Sequence, residues 1–129
     1  MAQIKSFGLR ELTNANRERI CDAIHGSMMD AFDNPKEKRF RRFFPMSRED
    51  FIFPDNQTEK YIIIVISMFE GRTVEAKKKF FRLLFSRLKE SCEIEYNDAE
   101  ITIPESPRHH WGIRGTPGEE LKLDCEITV

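Results

Sequence analysis

Arg72 stands between a strongly apolar segment and a predicted helix start, in the run Gly71-Arg72-Thr73. The amide groups of a helix N-terminus favour an anion there, and a guanidinium fork fits a carboxylate bidentately. An arginine merely exposed at a turn is the competing reading. His25 falls beside Cys21, Met28 and Phe32 at helical spacing, on the margin of an apolar face. It reads either as a partly buried structural histidine or as a pocket residue. Trp111 and Arg114 belong to a glycine-rich stretch, 112–118. There Trp111 can wall a pocket and Arg114 can give a second contact to an anion; a tryptophan packed on the core beside a solvated loop is the alternative. His109 and His110 are adjacent, too close to serve one metal-facing surface, and no third ligand stands at useful spacing. Neither a metal nor a cofactor is expected.

The bulk numbers bound the partners. The 129 residues suit a single domain, 1–129, and the apolar 40% and charged 33% suit a folded one. A net charge of -1 gives no global pull toward nucleic acid or membrane. Two basic runs exist, Lys36, Lys38, Arg39, Arg41 and Arg42, and Lys77-Lys78-Lys79 with Arg82. On amphipathic elements such runs read as solvated faces, so neither nucleic acid nor membrane is the expected partner. Cys21, Cys92 and Cys125 are scattered and odd in number, which argues against a disulfide framework. Met1-Ala2-Gln3-Ile4-Lys5 shows no apolar leader core, and Tyr61 to Ile66 is too short to span a bilayer. A cytoplasmic location with reduced thiols is the expectation.

The elements that must position these residues come in two similar sets. Ile4 to Leu9 reads as a strand, and Thr13 as the cap of a helix with Ile20, Ile24, Met28 and Ala31 on its buried face. Asn34-Pro35 closes that helix, and Arg39 to Phe44 forms a strand stopped by Pro45. After a loop over 46–59, containing a short apolar piece at Phe51-Ile52-Phe53, the order repeats. Tyr61 to Phe69 is the strongest strand, Thr73 caps a helix whose buried stripe is Phe81, Leu84, Phe85 and Leu88, and Ala99 to Ile103 alternates as a strand before Pro104. Thr13 and Thr73 lie 60 positions apart, as do Arg39 and Ala99. This offset predicts two copies of one β-α-β unit, about 3–45 and 60–104, with an extension over 105–129. The strict alternation from Leu121 to Val129 predicts a C-terminal strand with one dry face. The fold class is α/β (α+β): a four-stranded mixed sheet with both helices on one face, plus that strand. Ile62 to Ile66 has no polar face, so the helix-free side needs cover from a neighbouring subunit or from the chain's own tail. A homo-oligomer is expected.

Four segments together resemble the tautomerase superfamily. They are Phe7-Gly8-Leu9, Asp22-Ala23-Ile24-His25, Gly71-Arg72-Thr73 and Pro107-Arg108-His109-His110-Trp111-Gly112, spread over about Gln3 to Gly115. The branch most similar holds malonate semialdehyde decarboxylase and cis-3-chloroacrylic acid dehalogenase; macrophage migration inhibitory factor and 4-oxalocrotonate tautomerase are more distant. The resemblance implies a homotrimer and a site at the start of the first strand, where an amino-terminal proline is the general base or acid and arginines hold substrate carboxylates. It implies a tautomerase or related isomerase or lyase acting on a small 2-oxo or unsaturated carboxylic acid, with Arg72, Arg114 and Trp111 binding substrate. His25 aligns with a substrate-binding histidine of the dehalogenase. The proline itself has no counterpart, because Gln3 occupies its position and Ala2 would carry the free amine once Met1 is removed. Lys38 stands at the branch's carboxylate position, Glu70 at one of its two arginines, and Ile113 at a downstream aromatic. A non-catalytic trimeric homologue with a ligand-binding or regulatory role is the alternative.

Overall fold

The computed structural model describes residues 2–37 and 42–121. Strand β1 (Ala2–Leu9) leads into helix α1 (Arg10–Phe32), then β2 (Phe43–Met46) and β3 (Ile62–Phe69). Helix α2 (Val74–Cys92), β4 (Ala99–Thr102) and the short β5 (Glu105–Ser106) follow, and β6 (Gly112–Ile113) with β7 (Thr116–Pro117) make a separate hairpin. The sheet order is β2-β1-β3-β4, with β5 also on β3. β2 runs parallel to β1, β4 and β5 run parallel to β3, and the two central strands are antiparallel. This is the mixed sheet expected.

The halves correspond closely at their centres. β1 and β3 are each 8 residues long and begin 60 positions apart, and their register sets Lys5 against Val65, its own counterpart. The helices end alike: Asp33 and Glu93 take left-handed backbone, φ 57° and 56°, and their amides reach back to carbonyls of the last turn. Between the helices, Arg87 Nη1 donates to Ser27 Oγ at 3.3 Å, again a pair 60 positions apart. The strand register and the helix contact thus each join positions 60 residues apart.

Helix starts depart from the sequence reading. α1 begins at Arg10 directly from the strand, with Leu9 as N-cap, so Thr13 is a buried residue of the first turns and not the cap. α2 does start as expected, Thr73 Oγ1 accepting the Ala76 amide at 3.1 Å. Its buried stripe is Phe80, Leu84, Leu88 and Cys92; Phe81 and Phe85 are only half-buried. The stripe thus follows the four-residue spacing of Phe80 rather than that of Phe81. Pro45 lies inside β2 and does not stop it. An edge strand tolerates proline because one side needs no ladder donor. The expected residues 39–41 of that strand, and 122–129 of the C-terminal strand, lie outside the described residues.

One core joins Ile4, Ile62, Ile64, Ile66 and Met68 to Ile20, Ile24, Met28, Phe32, Phe80, Leu84 and Leu88. The helix-free face is covered at one end by the chain's own β2–β3 loop. Phe51 and Phe53 pack on Tyr61, Leu9, Phe7 and Ile63, while Ile52 between them is 87% exposed. Cover for that end thus comes from the chain's own loop. Towards the other end Gln3, Lys5 and Thr102 remain exposed beside half-buried Val65 and Ser67.

Tyr61 donates its hydroxyl to Glu100 across the covered end. Burial, then the bond to Glu100 and its charge, push the phenol from 10.0 up to about 12. A folded-state value above the unfolded one gives stability that is complete below pH 10 and lost as pH climbs through 12. The wild-type melting temperature should therefore fall more steeply over that window than that of Tyr61→Phe. Parallel curves would refute the assignment.

Candidate functional site

The start of β1, the end of β3, the end of α1 and the start of α2 meet at one end of the sheet. Antiparallel pairing sets Ala2 opposite Met68 and Gln3 opposite Ser67. Ala2 packs against the helix-side core, whereas Gln3 points to the helix-free face and is exposed. β3 then ends at Phe69, and Gly71 turns the chain into Arg72.

Arg72 is not an exposed turn residue; it is 7% exposed. Its Nη1 donates to the Phe32 carbonyl at 2.5 Å, and its guanidinium lies 5.0 Å from the centre of the Phe32 ring. Phe32 closes α1, so this cation meets a carbonyl that has no intrahelical partner at the negative end of the helix. His25 is buried as well, with Nε2 2.8 Å from the Lys36 carbonyl. That contact requires the hydrogen on Nε2. Arg72 and His25 therefore both hold the segment leaving α1, one at each side of Asp33.

Trp111 is half-buried. It meets Phe69 edge-on at 5.1 Å, and its Nε1 donates to Ser106 Oγ at 2.9 Å. One side of it opens on a hollow of about 580 Å³ shared with His109, His110, Gly112 and Thr116. Arg114 sits away from this anchor, at the exposed tip of the β6–β7 hairpin. Arg114 (φ 53°) and Gly115 (φ 82°) form the two-residue turn, both with the positive φ that a type I′ hairpin requires. Ala2 and Gln3 thus lie beside the end of β3 on opposite faces of the sheet, and Arg72 follows that end and turns onto Phe32. Trp111 rests on Phe69, His25 is tied to the segment after α1, and Arg114 sits on a separate arm.

Sequence reasoning missed the clamp that holds this arm. Arg108 donates through Nε and Nη2 to the Gly118 carbonyl at 3.2 and 3.0 Å, and through Nη2 to the Leu121 carbonyl at 2.5 Å. Its guanidinium stands 5.6 Å from the Phe69 ring centre. Gly118 approaches so closely that a Cβ would lie 2.3 Å from the Arg108 carbonyl oxygen. Only the glycine at 118 signals this in the sequence. Cys21 and Cys92 are buried cysteines, and burial pushes the Cys92 thiol up against the opposing pull of Arg19 and Lys60. It is a poor nucleophile. Among the described residues, no helix is long and apolar enough to cross a membrane.

A family model described as "Tautomerase enzyme" matches residues 38–114, more than half of the chain. The chain belongs to the tautomerase family. The probable tautomerase YrdN of Bacillus subtilis (strain 168) is 27% identical over 99 residues, covering 73% of this chain and 76% of that protein. Malonate semialdehyde decarboxylase superposes with a TM-score of 0.74 at 22% identity, covering 85% of this chain and 88% of its own. An asymmetric trimer of fused 4-OT gives 0.79 at 14% identity, with 90% and 95% covered. At those identities the two solved structures establish the fold of this tautomerase-family chain, an α+β tautomerase architecture.

Proposed function

We propose that this protein is a tautomerase, or a related isomerase or lyase, acting on a small 2-oxo or unsaturated carboxylic acid. The observation that carries the reading is the β1–β3 register, which sets Ala2 against Met68, a few residues before Arg72 and beside the strand end on which Trp111 rests. With Met1 removed, the Ala2 amine is the proton carrier. An α-amino group titrates near ~8 in water, and an apolar surround with a neighbouring cation lowers that value. An amine poised near neutral pH takes the proton from an enol hydroxyl and returns one to carbon. Arg72, already oriented by the Phe32 carbonyl, receives the substrate carboxylate; His25 and Trp111 shape the pocket, and Arg114 adds a second cation from the hairpin. Gln3 holds the place of the family proline and faces the other side of the sheet.

The assembly proposed is a homotrimer, in keeping with the trimers of fused 4-OT. The uncovered strip at Lys5, Val65 and Thr102 supplies the surface sister subunits would shield.

A second reading, a non-catalytic trimeric homologue that binds a ligand or regulates, is favoured by the inward turn of Arg72 onto Phe32. Ketonisation of phenylenolpyruvate, followed by absorbance on protein whose intact mass shows Met1 removed, separates the two. Conversion well above the buffer rate supports the enzyme. Conversion at the buffer rate rejects it in favour of the second reading.

A further inference from the structure

On the outer side of α2, away from the sheet end just described, Arg82, Phe85 and Tyr96 line an open hollow of about 390 Å³. That volume is in the range of small-molecule sites. The Phe85 and Tyr96 rings stand 6.0 Å apart at 68°, forming a corner in which a third flat ring can stack on one and meet the other edge-on. Tyr96 is 56% exposed, so its ring is open to a ligand. Two cations stand beside the corner. Lys89 Nζ lies 4.8 Å from the Tyr96 ring centre and 3.5 Å from a Glu95 carboxylate oxygen, so its charge is already met. Arg82 is exposed and, among the described residues, enters no hydrogen bond or ion pair. An unmatched guanidinium beside an aromatic corner has a definite complement.

We propose that Arg82, Phe85 and Tyr96 form a second binding site, for a small aromatic carboxylate whose ring enters the Phe85–Tyr96 corner and whose carboxylate is forked by Arg82. Three features select this class. The edge-to-face corner favours a flat ring over an aliphatic chain of equal area. The guanidinium favours a planar two-oxygen anion, which it meets with two parallel hydrogen bonds. The Glu95 carboxylate, already paired with Lys89, penalises a dianion. The site lies on a different element from Ala2, so it is independent of the catalytic reading.

Benzoate is the probe, titrated into the full-length protein and followed by NMR at the Arg82 Nε–H and the Phe85 and Tyr96 ring protons. Saturable shifts confined to these groups are expected. Arg82→Gln should weaken binding by about tenfold or more, as loss of a charge-assisted pair does. Arg82→Lys should recover only part of it, because the ammonium keeps the charge and loses the fork. Tyr96→Ala, also a surface change, should weaken benzoate more than cyclohexanecarboxylate. Shifts that do not saturate, an unchanged affinity in Arg82→Gln, or equal binding of benzoate and cyclohexanecarboxylate would each overturn the proposal. So would shifts confined to residues 2–9 and 67–72, which would assign the anion to the first site alone.

Discussion

Blocking the amine of Ala2 is expected to cut the conversion of phenylenolpyruvate by at least about 10²-fold, the usual contribution of a positioned proton carrier. Acetylation removes the base outright. Retention of Met1 moves the amine one residue along the strand, about 3.3 Å, and a displacement of that size is far beyond what proton transfer tolerates. The pH profile carries the same assignment. Only the neutral amine accepts a proton, so the rate should rise as pH passes the amine's own value, at or below ~8, and the acetylated protein should lose that limb. The gap at the proline position gives the converse experiment. Gln3 pairs with Ser67 one step inside Ala2, so a chain trimmed to begin at position 3 with Gln3→Pro puts a secondary amine where relatives of this fold are expected to hold theirs. If Ala2 is the proton carrier, that chain should fall below the Ala2-initiated one by about 10²-fold, the penalty of a misplaced reacting group, and a faster chain would refute the assignment. If acetylation leaves the rate intact, the proton carrier lies elsewhere and the Ala2 assignment fails.

How far the sequence reaches depends on whether the deciding contact is local. Apolar runs and helix ends are local. Ile62 to Ile66 carries no polar side chain, which marks it as a strand in the sequence, and its match with β1 at a 60-residue offset follows from their shared length. Thr73 caps a helix through a bond three residues away. Thr13 has the same residue type and the same place in the repeat, yet the strand before it runs into the helix without a loop, and α1 starts four residues earlier. Phe80 outranks Phe81 as a core residue through contact with Phe32, 48 positions distant, which helical spacing cannot reveal. Pro45 is tolerated because β2 lies at the sheet edge, a fact of topology. The candidate site divides in the same way. Arg72 was identifiable from its place between strand and cap, but its inward turn depends on the Phe32 carbonyl, 40 positions away. The Arg108 clamp depends on carbonyls 10 and 13 residues ahead in a segment without periodicity. Residue types mark which side chains can do chemistry, and distant backbone atoms decide where they point.

Phe80→Ala is expected to lower the unfolding free energy by about 3–5 kcal/mol, a large share of the roughly 5–15 kcal/mol that holds a domain together. Phe80 is 0% exposed and stacks on Phe32 at 5.1 Å and 25°, so its removal leaves a cavity that the flanking turns of two helices cannot collapse. The urea midpoint should fall at an unchanged slope, measured at one protomer concentration so that assembly does not contribute. The consequence extends beyond stability. The Phe32 ring that loses this neighbour is the one beneath the Arg72 guanidinium, and the Phe32 carbonyl is what orients that guanidinium. Core packing and the proposed carboxylate contact therefore share one side chain. In Phe80→Ala under conditions where the protein stays folded, the KM for a carboxylate substrate should rise while the pH limb of the Ala2 amine stays in place. Phe80→Leu, which keeps most of the volume, should restore both the midpoint and the KM in large part. Loss of stability with an unchanged KM would separate the two roles and leave Arg72 as a helix-end contact alone.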